Sequence, residues 1–369
     1  MYSQVDIRRI HLEMTTRCNA ACPMCSRNER GGFQIADLPQ VDLTLLEVQR
    51  MLPPHFIEQL EQVWLCGNYG DPIIAPDTLE VLTYLKAVNP KIRLGLNTNG
   101  SARKPDWWQR LARVLDHCHF GIDGLSDTNH LYRRRTHWNV IMANAAAFID
   151  AGGAAHWEFI VFRHNEHQIS EAQELARTMG FRKFRLRKTG RFFFDGQLHP
   201  ALDIQDTSGK TIYSIEPPID ICLRNASSAE LGGIASERNG YANYLDTTLI
   251  ECKAQTEREL YISAEGLVFP CCYLASWYRG SRRKRDAQFQ KLLEQHGGRN
   301  SIDARLRPIG EIIEGGIYRG IVTSWSQPSV AQGRLATCSG TCGGDSPNRH
   351  QYTNAIYLKP VHRDERDTH

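Results

Sequence analysis

Short apolar runs alternate with longer stretches of helical spacing through the first half of the chain. Residues 10–14, 63–66, 92–97, 120–124, 159–162 and 184–186 read as six strands. Between them, about 43–52, 77–88, 105–115, 138–151 and 169–179 carry helical periodicity. Gly152-Gly153 and Gly180 supply helix stops. Strand–helix alternation with short connections predicts βα units, a parallel sheet and an α/β fold class. Six units fit a partial or full barrel, or an open doubly wound sheet. In each case functional residues belong at the C-terminal ends of the strands. Cys18, Gly67, Asn97, Asp123 and His164 fall there.

The pattern stops near residue 195, so 1–195 reads as one domain. Residues 196–245, rich in Ser, Asp and Pro, read as a connector. Within 246–350, the runs 259–263 and 267–270 predict a hairpin turning at Ala264-Glu265-Gly266. Residues 351–369 read as a polar, frayed tail. A length of 369 residues agrees with roughly two domains.

Charge narrows the function classes. The 44 Lys+Arg against 41 Asp+Glu leave a net +3, too balanced for a general polyanion binder. Nucleic acid is therefore not an expected partner, and the basic run 279–285 reads as a solvated loop. No apolar run reaches the ~18–20 residues of a membrane span. Residues 1–9 lack the apolar core of a secretory signal. A cytoplasmic, reducing compartment is expected.

The eleven cysteines change the picture. An odd number cannot pair completely, and clustered cysteines in a reducing compartment point to metal. Cys18, Cys22 and Cys25 form C-x3-C-x2-C directly after the first strand. Three thiolates in one curled loop suit an iron–sulfur cluster or zinc. A three-cysteine cluster site leaves one iron open. Cys66 and Cys118 lie on apolar strands and read as buried thiols.

The segment from Leu12 to Cys25, Leu-Glu-Met-Thr-Thr-Arg-Cys-Asn-Ala-Ala-Cys-Pro-Met-Cys, resembles the signature of the radical S-adenosylmethionine (SAM) superfamily. Met24 stands where that family often has an aromatic. The resemblance covers roughly residues 8–195 and implies a partial (β/α)6 TIM-type barrel. It implies that Cys18, Cys22 and Cys25 hold a [4Fe–4S] cluster whose open iron chelates SAM. One electron would cleave SAM to methionine and a 5′-deoxyadenosyl radical. Gly67-Asn68-Tyr69-Gly70-Asp71-Pro72 is similar to the family's glycine-rich, SAM-binding motif. There the glycines would admit a ligand, and Asp71 would face its ammonium group. Asn97, Asp123 and Asn165 become further SAM or substrate contacts; turns and helix caps are the plainer reading of the same residues. Tyr132-Arg133-Arg134-Arg135 could hold an anion or be a solvated turn. His164, Glu166 and Arg187 are the acid–base candidates by position. No histidine pair has metal-ligand spacing with a third partner.

Cys252, Gly266, Cys271 and the distant pair Cys338 and Cys342 resemble the twitch auxiliary-cluster region, related to SPASM. That implies one auxiliary [4Fe–4S] cluster on Cys252, Cys271, Cys338 and Cys342. Structural zinc is the alternative. Cys271 is preferred to Cys272 on spacing alone, and Cys222 is a possible substitute.

Together these imply a radical SAM oxidoreductase acting on a small metabolite. The auxiliary cluster would accept an electron, and flavodoxin or ferredoxin would serve as donor. A peptide-modifying enzyme is the alternative. With the first motif at Cys18, no room is expected ahead of it for a leader-binding domain, which favours the small metabolite. A non-enzymatic, cluster-bearing nucleic-acid binder is the third reading.

Overall fold

The computed structural model describes residues 2–29, 33–206, 208–279, 287–344 and 356–358. Six parallel strands appear in the expected order: β1 (Arg9–Leu12), β2 (Gln62–Leu65), β3 (Arg93–Thr98), β4 (His117–Gly121), β5 (Ala155–Ile160) and β6 (Lys183–Arg187). The crossing helices are α1 (Leu45–Met51), α2 (Thr78–Val88), α3 (Pro105–Ala112), α4 (Trp138–Asp150) and α5 (Ile169–Met179). Thr44 caps α1 through a box with Glu47, and Gly180 ends α5 in the left-handed region.

Two strands differ from their expected bounds. β4 and β5 begin three and four residues earlier than the apolar runs that announced them. Their early residues, His117-Cys118-His119 and Ala155-His156-Trp157-Glu158, alternate polar and apolar. Helices cover one face, where Phe120 meets Trp108 and Trp157 meets Phe181. The other, inner face carries the polar residues of each pair. Period-two alternation places every second side chain there. This inner face is polar, unlike the branched apolar packing of a filled barrel.

The C-terminal hairpin forms as expected, with Gly266 at φ +72°. Its placement is new. β7 (Glu259–Ile262) lies parallel to β1, pairing Arg9 with Glu259 and Leu12 with Ile262. β8 (Val268–Phe269) follows it antiparallel. At the far edge, β9 (Ile356–Tyr357) pairs antiparallel with β6. The order is β8-β7-β1-β2-β3-β4-β5-β6-β9, an open sheet compatible with a partial barrel.

The connector is more ordered than its composition suggests. It holds a hairpin of Leu202–Gln205 with Thr211–Ile215, and helices Ala226–Ser236 and Gly240–Thr247. Asn225 caps the first of these helices. Of the basic run, 280–285 lie outside the described residues; Arg279 is ion-paired with Glu265. Of the tail, only 356–358 are described, and they form a sheet edge.

Candidate functional site

Strand β1 ends at Leu12, and the chain then curls through the first three cysteines. The curl is held by backbone bonds: Ala21 N donates to Arg134 O at 2.9 Å, and Cys25 N to Cys22 O at 3.1 Å. Asn28 Nδ2 adds a bond to Cys22 O at 3.1 Å. All three thiols sit over one small apolar cluster with Ala20, Tyr132 and Phe162. Burial pushes the Cys22 thiol up to about 11 and the Cys18 thiol well above its ordinary value. Without compensating positive charge they would remain protonated.

That charge comes from arginines. Arg133 pairs with buried Asp123 at 2.6 Å and points Nη1 at Cys22 Sγ, 3.8 Å away. Arg133 is therefore neither a free anion site nor a solvated turn residue. Arg191 donates to the Tyr132 hydroxyl at 2.6 Å, and the Cys25 thiol lies close enough to favour its charge. Arg27, likewise near Cys18 and Cys25, is buried and holds Gln34 Oε1 at 2.6 Å. Arg27 and Arg191 carried no sequence signal, because neither stands in a motif with the cysteines.

The neighbouring strand ends close around the loop. Asp71 accepts from Asn99 N at 2.8 Å, Asn99 Nδ2 at 2.7 Å and Thr98 Oγ1 at 3.1 Å. Its carboxylate is thus tied to the end of β3, and burial raises its pKa. Asn99 Nδ2 also meets Asn19 Oδ1 at 2.9 Å and lies 3.9 Å from Cys18 Sγ. Gly67 and Gly70 have a packing reason. A Cβ on Gly70 would lie 1.9 Å from Thr15 O, and one on Gly67 would lie 2.7 Å from Glu13 Oε1. Tyr69 is nearly buried, with its hydroxyl 2.9 Å from Ser276 O; Pro72 O accepts from Thr78.

Asn97 reaches the inner face, donating Nδ2 to Cys66 Sγ at 3.4 Å while its Oδ1 is buried without a partner. Asn165 is fully buried. It donates to Asp123 O and Ile160 O, both at 2.9 Å, and accepts from Phe162 N at 2.7 Å. It clamps the β5 loop. His164 stacks on Phe162 at 5.4 Å, and burial pushes its imidazole down to about 4. Glu166 accepts from Ile219 N at 3.0 Å and Asp220 N at 3.2 Å, at the surface. Of the three acid–base candidates, Arg187 alone lies on an inner-face strand position, close to Asp123 and Cys66.

The second cysteine group gathers around one pocket, lined by Cys252, Cys271, Cys338 and Cys342 with Ile250, Leu274 and Trp325. Cys338 and Cys342 lie on Ala336–Cys342, and Cys271 immediately precedes Cys272–Arg279. Cys272 is absent from this lining. Its thiol is buried with Cys271, Glu259 and Cys66 nearby, and Cys222 is exposed on a surface turn. Burial pushes the Cys271 thiol up to about 12. Among the described residues, no three His, Cys, Asp or Glu side chains close to single-ion spacing. Cys118 is fully buried, and Cys66 also has its thiol pushed up to about 11 by burial. Among the described residues, no helix is long and apolar enough to cross a membrane.

Residues 12–176 match the Radical SAM superfamily. Molybdenum cofactor biosynthesis protein 1 of Bos taurus is 26% identical over 173 residues, 47% of this chain and 22% of that protein. Its counterpart in Drosophila melanogaster is 25% identical over 171 residues, 46% of this chain and 29% of that protein. The match thus spans less than a third of these curated relatives. Streptococcus suis SuiB bound to S-adenosylmethionine superposes with a TM-score of 0.55 at 14% identity, covering 90% of this chain and 72% of that one. The same protein bound to precursor peptide SuiA gives 0.53, with 90% and 71% covered at 14% identity. The anSMEcpe enzyme with bound AdoMet gives 0.52 at 13% identity, with 90% and 85% covered. At these identities the likeness is one of fold.

Proposed function

From the match of residues 12–176 to the Radical SAM superfamily, we propose that the protein reductively cleaves SAM and removes a hydrogen atom from a small metabolite, ending in net oxidation. The observation that carries this is the curled loop of Cys18, Cys22 and Cys25, closed over by the segments after β2, β3 and β4 through Asp71, Asn99, Asp123 and Arg133. A [4Fe–4S] cluster held by these cysteines would supply one electron to SAM, giving methionine and a 5′-deoxyadenosyl radical.

The chain's own residues prepare that site. Arg133, Arg27 and Arg191 offset the negative charge of clustered thiolates in a buried setting. Asn19 ties the loop to the end of β3 through Asn99 and Ser101, which keeps it in register with the inner face. Cys252, Cys271, Cys338 and Cys342 would hold the auxiliary cluster that accepts the substrate electron. A flavodoxin or ferredoxin is the expected donor for the first. Positioning and exclusion of water are the protein's contribution to such chemistry.

A peptide-modifying reaction is the second reading. The SuiB complex with its precursor peptide supports it, because that chain shares the fold over most of this one.

Anaerobic reconstitution tests the proposal. Iron should approach about eight per chain, and SAM with dithionite should release 5′-deoxyadenosine. A Cys18→Ala, Cys22→Ala, Cys25→Ala variant should release none. Zinc in place of iron, without SAM cleavage, overturns both readings. Mass spectrometry with candidate metabolites and peptides separates them.

A further inference from the structure

The inner face of the sheet holds a chain of contacts that the preceding reading does not use. His156 Nδ1 lies 2.9 Å from His119 Nε2. His119 Nδ1 lies 3.1 Å from Glu158 Oε1. The other Glu158 oxygen, Oε2, is buried and has no partner among the described residues. His117 stacks on His156 at 5.6 Å, and Trp64 packs edge-on against His119 at 4.9 Å. Gly95 leaves the room for this packing, since a Cβ there would lie 2.1 Å from the Trp64 ring and 2.8 Å from His117 Nε2.

These groups lie in a line. Ile160, two residues beyond Glu158, donates its N–H to Asp123 Oδ1 at the strand ends. At about 3.3 Å per residue, Glu158 is roughly 7 Å below that point and His156 about 7 Å lower still. His117 and Lys183 begin their strands, so His156, paired with Lys183, lies near the opposite mouth. The second orphaned acceptor, Asn97 Oδ1, stands on the strand beside His119. Two buried acceptors without donors are costly unless a ligand supplies the donors.

We propose that Glu158, His119 and His156 form a proton relay from the substrate chamber to the far mouth of the sheet, serving a substrate that presents hydroxyl or amine hydrogens to Glu158 and Asn97. This rests on the radical SAM reading and adds the base that reading lacks. In the step itself a substrate O–H or N–H bond breaks, its electron pair stays on the heteroatom, and the proton joins Glu158 Oε2. The carboxyl group then turns its protonated oxygen toward His119, and Glu158 hands that proton to His119 Nδ1, the unprotonated nitrogen of the Nε2–H tautomer. His119 releases its Nε2 proton to His156 Nδ1, and His156 releases its own Nε2 proton to water. Each side chain returns to its starting charge, and no electron moves through the relay.

The surroundings suit this. Burial pushes the His156 imidazole down to about 3 and the His117 imidazole down to about 4. A neutral imidazole can accept at one nitrogen while donating from the other. The charged neighbours are Arg185, 3.7 Å from Glu158, together with Lys183, Arg93 and Asp116 near the histidines.

The test is ¹⁵N-histidine NMR on the full, anaerobically reconstituted chain with its iron oxidised. His119 and His156 should titrate as a coupled pair. Glu158→Gln should change which His119 nitrogen is protonated and shift its proton affinity at least about tenfold, one pKa unit. His119→Asn should move the titration of His156. The surface variant Glu166→Gln should move neither. Glu158→Asp, which keeps the charge but withdraws it, should give a smaller shift and covers the case where Glu158→Gln does not fold. Unchanged His119 tautomer and titration in Glu158→Gln and Glu158→Asp overturn the relay. Release of 5′-deoxyadenosine by the wild type is scored separately, so failure of the radical reading is distinguishable from failure of the relay.

Discussion

Asn68 donates from Nδ2 to the carbonyl of Cys272 at 2.7 Å, while its own carbonyl receives the Cys25 thiol at 3.7 Å. One residue, through its side chain on one side and its backbone carbonyl on the other, thus joins the first cysteine loop to the chain segment carrying Cys271. The glycine-rich loop after β2 is a bridge between the two cysteine groups as well as a flank of the first.

Asn68→Ala should loosen that bridge without removing a cysteine. Loss of a half-buried hydrogen bond predicts about 1 kcal/mol of destabilisation, read by chemical denaturation. Iron content should stay near the wild-type value. A large loss of iron would show that Asn68 does more than join the two segments.

Cys271 and Cys272 are separable by iron analysis. Cys271→Ala should lower iron from about eight to about four per chain, because its thiol shares the pocket with three others. Cys272→Ala should leave iron unchanged, since that residue does not line the pocket. The reverse result would transfer the ligand role.

Arg133→Met leaves Asp123 buried without its partner. An uncompensated buried charge costs about 3–5 kcal/mol, and the Asp123 side chain is fully buried. Denaturation should show that loss, with reduced retention of iron at the first site. Arg133→Lys should recover part of both, since it restores the charge but not the geometry of the guanidinium.

Glu13 predicts the pH dependence of stability. It accepts from Tyr69 N at 2.7 Å, Gly70 N at 3.2 Å and the Tyr261 hydroxyl. Burial nonetheless raises its pKa from 4.5 to about 7. The folded state therefore holds this proton more tightly than the unfolded state. Its contribution is full below pH 4.5 and is lost as pH rises through 7. His11 works in the opposite sense. Burial lowers it from 6.5 to about 4, so stability is lost as pH falls from 6.5 through 4. Glu13→Gln, a mimic of the protonated acid, should flatten the decline between pH 5 and 8 in denaturation midpoints. A decline of unchanged slope would remove Glu13 as its cause.

What the sequence determined by itself is local. C-x3-C-x2-C lies within eight residues, so its loop can be read without knowing any distant contact. Strand order and helix positions followed from periodicity, which is set by backbone geometry within a dozen residues. The tertiary structure decided what depends on pairing across the chain. It laid β7 beside β1, some 250 residues apart, placed Cys271 rather than Cys272 in the pocket, and set Arg27 and Arg191 near the first cysteine loop. It also explains why β4 and β5 were read short. The inward histidines and Glu158 interrupt the apolar run, so the inner-face polarity that hid the starts of these strands is what lines up Glu158, His119 and His156.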